Sequence, residues 1–186
     1  MTILNRPFPG AALIACANNH DERGSFTRLF DRSLFEHEGW STALDHSAES
    51  FNPQPYTLRG LHFQSPPYEE QKLIRCVAGS IYDVAVDLRI GSPTEGQFFS
   101  ITLSGTEPQM LMLPQGIAHG FLTLEPDTRV LYHLFQPYRA EHAQGIRFDD
   151  PELAIPWPEK ARLIGARDLT WPSLRDLPSS LRRVYS

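Results

Sequence analysis

The sequence predicts a mainly β chain folded as a sandwich or barrel, and three observations carry that reading. Short alternating or wholly apolar stretches recur through the middle, with turn signals about every ten residues. Hardly any segment sustains a helical period. The 16 prolines and 12 glycines are spread through the 186 residues instead of forming a low-complexity tract.

The elements follow in order. Asp31 to Trp40 reads as a short helix capped at Asp31 or Ser33. Thr57 to Gln64 reads as a strand in which Gly60 marks a bulge or a close backbone approach. Strict alternation would put Arg59, Leu61 and Phe63 on one face, with Leu58, Gly60, His62 and Gln64 on the other. From Ser80 to Arg89, Tyr82, Val84, Val86 and Leu88 share a face opposite Asp83, Ala85, Asp87 and Arg89, and Gly91 to Thr94 ends the strand. Phe99 to Leu103 alternates, Met110 to Leu113 is an apolar run ended by Pro114, and Ile117 to Leu124 follows closely. Arg129 to Phe135 sets Val130, Tyr132 and Leu134 against Leu131, His133 and Phe135. The last thirty residues, with Trp157 and Trp171, are expected to wrap over the β core irregularly, with one or two helical turns. No repeat or long polar linker divides the chain, so residues 1–186 are expected to form a single domain.

Composition narrows the function classes. A net charge of -5 and a pI near 5.8 argue against a nucleic-acid partner, which usually shows as a basic patch. No apolar run approaches the ~18 residues of a membrane span, and no signal-peptide pattern opens the chain. Cys16 and Cys76 make neither a disulfide framework nor a metal cluster. A cytoplasmic protein without a membrane partner is expected. Among 17 basic residues only Lys72 and Lys160 are lysines, so Lys72, inside an apolar strand-like stretch, needs its own reason.

The residues able to carry chemistry are His62, Lys72, His119, Tyr132, Arg167 and Asp168. Singly, each has an ordinary structural explanation. A histidine in a half-buried strand is commonly just hydrogen-bonded, a tyrosine on an apolar face is commonly core, and a lysine can lay its stem along the barrel. Asp168 can cap a turn. A metal set of His62, His119 and Glu69 or Glu70 is a further reading. Against it, position 64 is Gln, so the His-x-His pair common in metal-binding barrels is absent, and Lys72 would repel a cation.

An ordered series of segments goes further. Asp21-Glu-Arg-Gly-Ser-Phe26, Arg59-Gly-Leu-His-Phe-Gln64, Lys72-Leu73, Tyr82 to Arg89, Gly91 to Thr94, Pro114 to Phe121, Tyr132 and Asp149-Asp-Pro151 together resemble the dTDP-4-dehydrorhamnose 3,5-epimerase family. The resemblance runs from about residue 20 to 172. It implies a cupin-type double-stranded β-helix (jelly roll) with short helices and an irregular C-terminal segment. It also implies an isomerase that inverts C3, C5 or both of a nucleotide-linked 4-keto-6-deoxyhexose, without metal or other cofactor.

By this resemblance His62 is the base, Asp168 its carboxylate partner, Tyr132 the acid on the opposite face, and Lys72 the cation beside the C4 oxygen. Arg23, Phe26, Arg59, His119, Tyr138 and Arg167 match substrate contacts, Tyr138 by stacking on the nucleotide base. A homodimer with exchanged N-terminal strands is implied as well. The chain departs from the family pattern at Arg28, at His46 and Ala48, at Ala143 and at Arg167, positions that the resemblance implies lie at the nucleotide end or the pocket rim and not at the proton-transfer centre. Alternatives from other classes are a cupin that binds a nucleotide sugar without turning it over, and a metal-dependent cupin enzyme.

Overall fold

The structure, a computed structural model, describes residues 1–186. Its elements are β1 (Thr2–Asn5), β2 (Ala12–Ala15), β3 (Asn18–Asp21), β4 (Gly24–Thr27), α1 (Arg32–His37), β5 (His46–Asn52), β6 (Thr57–Gln64) and β7 (Lys72–Ala78). There follow β8 (Ser80–Asp87), β9 (Phe98–Ser104), β10 (Gln109–Leu113), β11 (Ile117–Thr123), β12 (Thr128–Leu134), β13 (Ala143–Gly145) and β14 (Leu163–Ile164). One sheet runs β1-β2-β10-β7-β12-β5; the other runs β13-β6-β11-β8-β9, with β14 added parallel to β6. The β3–β4 hairpin forms a separate two-stranded sheet. No helix is long and apolar enough to cross a membrane.

The two sheets face each other across an interior that includes Leu13, Ile74, Leu111 and Val130 from the first, with Ile81, Ala85, Leu103 and Phe121 from the second. Each sheet also buries its outer side. Helix α1 and Trp40 cover Ile14, Leu73, Met110 and Met112. The C-terminal wrap covers Leu61, Phe63, Val84 and Val86 with Leu153, Trp157, Leu174 and Leu177. Burial on both sides explains why several strands read as unbroken apolar runs. Asp31 caps the helix, accepting from the backbone N–H groups of Ser33 at 3.1 Å and Leu34 at 3.3 Å.

Two features of the second sheet set the orientation of the site. On β8 the apolar face packs outward under the C-terminal wrap, while the polar face, with Asp83, points to the interior. On β6, strict alternation fails. His62 pairs with His119 but Arg59 pairs with Phe121, so three residues of β6 span two of β11. This bulge turns Arg59 to the same face as His62, contrary to the expectation from alternation.

Gly60 supplies the bulge. Its φ is +125°, and a Cβ there would lie 2.5 Å from the Gly120 Cα and 2.9 Å from the His119 carbonyl oxygen. Backbone cannot yield as a side-chain tip can. Gly60→Ala is therefore expected to destabilise the fold by about 3 kcal/mol or more. That would be read as a fall of about 10 °C in the thermal midpoint; an unchanged midpoint would refute the contact.

Candidate active site

β6 and β11 lie side by side, and their bulged register brings His62 and His119 opposite one another on the interior face. The His62 imidazole keeps 45% of its side-chain surface open. Its Nε2 sits 2.6 Å from Asp168 Oδ1. Asp168 arrives from the short 3-10 turn Ala166–Leu169, 106 residues later in the chain. Its other oxygen accepts from the Gly60 N–H at 3.1 Å, and Oδ1 also accepts from the Trp171 indole N–H at 3.2 Å. Burial pushes this carboxyl up, but the His62 hydrogen bond and charge, with the Gly60 and Trp171 donors, outweigh it and hold it below its ordinary value.

The first sheet supplies the opposing wall. Tyr132 on β12 lies opposite Ala48 of β5 and meets the His119 ring edge-on at 5.9 Å. Burial, and then the Asp83 charge, push the Tyr132 hydroxyl well above its ordinary value, with Arg59 opposing them. Lys72 opens β7, and its buried ammonium donates to Glu70 Oε1 at 2.9 Å and to the His62 carbonyl at 3.0 Å. An ammonium has three donors, so one N–H is left beyond these two contacts. His62, Lys72, His119, Tyr132 and Glu70 line one cavity of about 210 Å³. His119 is held from behind by Asp83, at 2.6 Å from Nε2 to Oδ1.

A second cavity of about 290 Å³ lies on the other side of His62 and Asp168, bordered by Tyr138, Ala143, Arg167 and Trp171. Tyr138 is 60% exposed at its rim. Arg167 lies over the Trp171 ring at 4.6 Å and donates to the Ala143 carbonyl at 2.6 Å. Arg59, exposed beside the interior face, is oriented by Asn52 at 2.7 Å. The largest hollow, about 620 Å³, is elsewhere, between Trp40, Arg89 and Arg183. Arg89 and Arg183 there are already engaged by Asp87 and Glu69, so size does not mark the chemistry.

Seven of the ten residues singled out from the sequence thus line these two cavities, and Arg59, which lines neither, shares the face of β6 that carries His62. Arg23 and Phe26 do neither. They stand on the β3–β4 hairpin, Arg23 paired with Asp21 and Phe26 74% exposed, around a surface hollow formed only by hairpin residues. The metal set is not assembled either: Glu69 pairs with Arg183 at 3.2 Å and Glu70 with Lys72. Asp83, Asn52 and Trp171 escaped the sequence reading as site residues. Only Asp83 carried a signal, a carboxylate on the face of β8 opposite Tyr82, Val84 and Val86, and Asp87 on that face carried the same one.

The sequence pattern of the dTDP-4-dehydrorhamnose 3,5-epimerase family matches residues 5–176. The chain belongs to this family. The epimerase of Sinorhizobium fredii is 42% identical over 165 residues, covering 88% of this chain and 85% of the relative. The Legionella pneumophila epimerase, solved in complex with dTDP-4-keto-L-rhamnose, superposes with a TM-score of 0.93 at 33% identity over 100% of this chain and 98% of that one. A 3'-monoepimerase from Streptomyces bikiniensis, in complex with dTDP-quinovose, superposes with a TM-score of 0.85 at 28% identity, covering 91% and 86%. The fold is accordingly the cupin-type jelly roll that the resemblance implied. As a member of this epimerase family the chain is an isomerase, inverting C3, C5 or both of a nucleotide-linked 4-keto-6-deoxyhexose.

Proposed function

We propose that inversion proceeds through an enolate with His62 as base and Tyr132 as acid, each on its own wall of the inner cavity. The observation that carries this reading is their arrangement across one space of about 210 Å³, with the Lys72 ammonium between the sheets. The C4 ketone acidifies the protons on C3 and C5. His62 takes one such proton, and the C–H electron pair passes into the enolate whose charge rests on O4. Tyr132 then returns a proton to the opposite face of the same carbon.

Lys72 donates its remaining N–H to O4, where a preorganised donor contributes about 3 to 4 kcal/mol to transition-state stabilisation. Glu70 fixes that ammonium in place. Asp168 sets the imidazole tautomer and favours its protonated form as the C–H bond breaks. Arg59 and His119 contact sugar and diphosphate; Tyr138 and Arg167 border the nucleotide end, and arginine suits diphosphate through its paired donors.

The same reading extends to a cytoplasmic homodimer of single-domain subunits with exchanged N-terminal strands. There Arg23 and Phe26 enter the partner's pocket, which gives their exposure on the hairpin a purpose. Because Leu13 and Ile14 of β2 are core, the test is confined to the hairpin. Arg23→Ala with Phe26→Ala is expected to lower turnover with the thermal midpoint unchanged, and full activity in that variant would contradict the exchange. Base selectivity is expected to depart from thymidine through His46, tied to Asp45 at 2.7 Å, whereas Ala48, expected at the nucleotide end, lines the inner cavity opposite Tyr132 instead.

Proton NMR in D₂O tests the chemistry. With dTDP-4-keto-6-deoxyglucose, and with CDP, UDP and GDP analogues, deuterium should enter C3, C5 or both only when enzyme is present. The carbons labelled define the regiochemistry. No wash-in with any of the four nucleotides would favour a cupin that binds its ligand without turning it over.

A further inference from the structure

We propose that Trp171 is a positioning residue of the epimerase, acting through its indole N–H on the His62–Asp168 pair. The proposal rests on the reading of His62 as the base. Three donors converge on Asp168: His62 Nε2 at 2.6 Å and the indole at 3.2 Å share Oδ1, and the Gly60 N–H takes Oδ2 at 3.1 Å. A carboxylate held by His62 alone could rotate about its own C–C bond and swing the imidazole with it. The Gly60 backbone N–H and the Trp171 indole N–H bind its two oxygens from opposite ends and lock that rotation. The imidazole plane is then set relative to the inner cavity before substrate arrives.

The surroundings are built to hold the indole there. Gly145 lies opposite His62 in the β13–β6 register, and a Cβ at Gly145 would fall 2.5 Å from Trp171 Cε2 and Nε1. The absence of a side chain at that strand position is what admits the ring. Arg167 covers the ring at 4.6 Å and is tethered by its bond to the Ala143 carbonyl. The His62 and Trp171 rings stand edge to face at 6.4 Å. Trp171 thus joins the outer cavity to the dyad.

The chain's other tryptophans provide internal references. The Trp40 and Trp157 indoles donate to the neutral carbonyls of Gly10 and Phe148, whereas the Trp171 indole alone donates to a carboxylate. In a ¹H–¹⁵N spectrum of the substrate-free protein, with the Trp171 indole signal identified by its loss in Trp171→Phe, Asp168→Asn should displace that signal and leave the other two in place. An unmoved Trp171 signal would overturn the hydrogen bond, whatever the enzyme turns over.

Trp171→Phe keeps the aromatic body against Gly145 and Arg167 and removes only the donor. It should lower kcat by about 10- to 100-fold, the scale of a small misplacement of a reacting group, with KM within about 3-fold. Wild-type kcat in a folded Trp171→Phe protein would refute the role. Failure of the wild type to wash deuterium into any of the four nucleotide sugars would instead sink the reading of His62 as base, so the two failures are distinguishable.

Discussion

His62→Ala is expected to abolish deuterium wash-in at both C3 and C5, lowering it by at least ~10³-fold, toward the upper end of what a positioned general base contributes. The loss should fall on chemistry and not on folding. Asp168 remains partnered after the substitution, by Gly60 at 3.1 Å and Trp171 at 3.2 Å, so no buried carboxylate is orphaned. The pH dependence of stability gives a second, independent reading. Asp168 is depressed in the folded protein, so its contribution is present above the unfolded value of about 4 and is lost as pH falls through the folded value. His62 supplies the leading stabilising contribution to the ionised carboxylate, against the opposing effect of burial. The stability difference between wild type and His62→Ala should therefore shrink as pH drops below about 4. A difference that stays constant through that window would mean the pair is not ionic in solution. Wash-in that survives at one carbon would give that carbon a different base.

The β content was legible because the physics that makes a strand here is local. Residues 80–88 and 117–123 are buried on both sides, and their apolar density shows directly in the sequence. Which face points inward was not legible, because it depends on what covers the outside. The apolar side of β8 is covered by a segment some seventy residues downstream, leaving Asp83 to the interior. Arg59 was assigned to the wrong face because a bulge shifts everything beyond it by one position, and Gly60 marked the bulge without giving its direction. Strand β5 hides in a polar stretch because it is an edge strand, largely exposed along its length. The dyad joins residues 62 and 168, a pairing that no local pattern encodes; only the ordered resemblance brought them together. Glu70 entered the sequence reading only as a candidate metal ligand, and its contact with Lys72 reveals a different use.

Tyr132→Phe should separate proton removal from proton return. Wash-in driven by His62 is expected to persist within about 10-fold, while net inversion falls by at least ~100-fold, because the donor on the opposite face is missing. Several features make Tyr132 suited to donate. Burial and the nearby Asp83 charge hold it as a phenol far beyond its ordinary range, so it carries its proton whenever substrate binds. Arg59 opposes that bias and supports the phenolate that forms once the proton has moved. Its ring is fixed edge-on to His119 at 5.9 Å, and phenylalanine preserves that contact, so the cavity keeps its shape. The sign of the titration gives a further check. Since Tyr132 is displaced upward from about 10, a decline of activity below pH 10 does not arise from its ionisation. Any alkaline limb in that range should therefore appear unchanged in the residual wash-in of Tyr132→Phe. Equal loss of wash-in and inversion would mean that the hydroxyl assists C–H cleavage itself, and the division of labour between the two sheets would have to be redrawn.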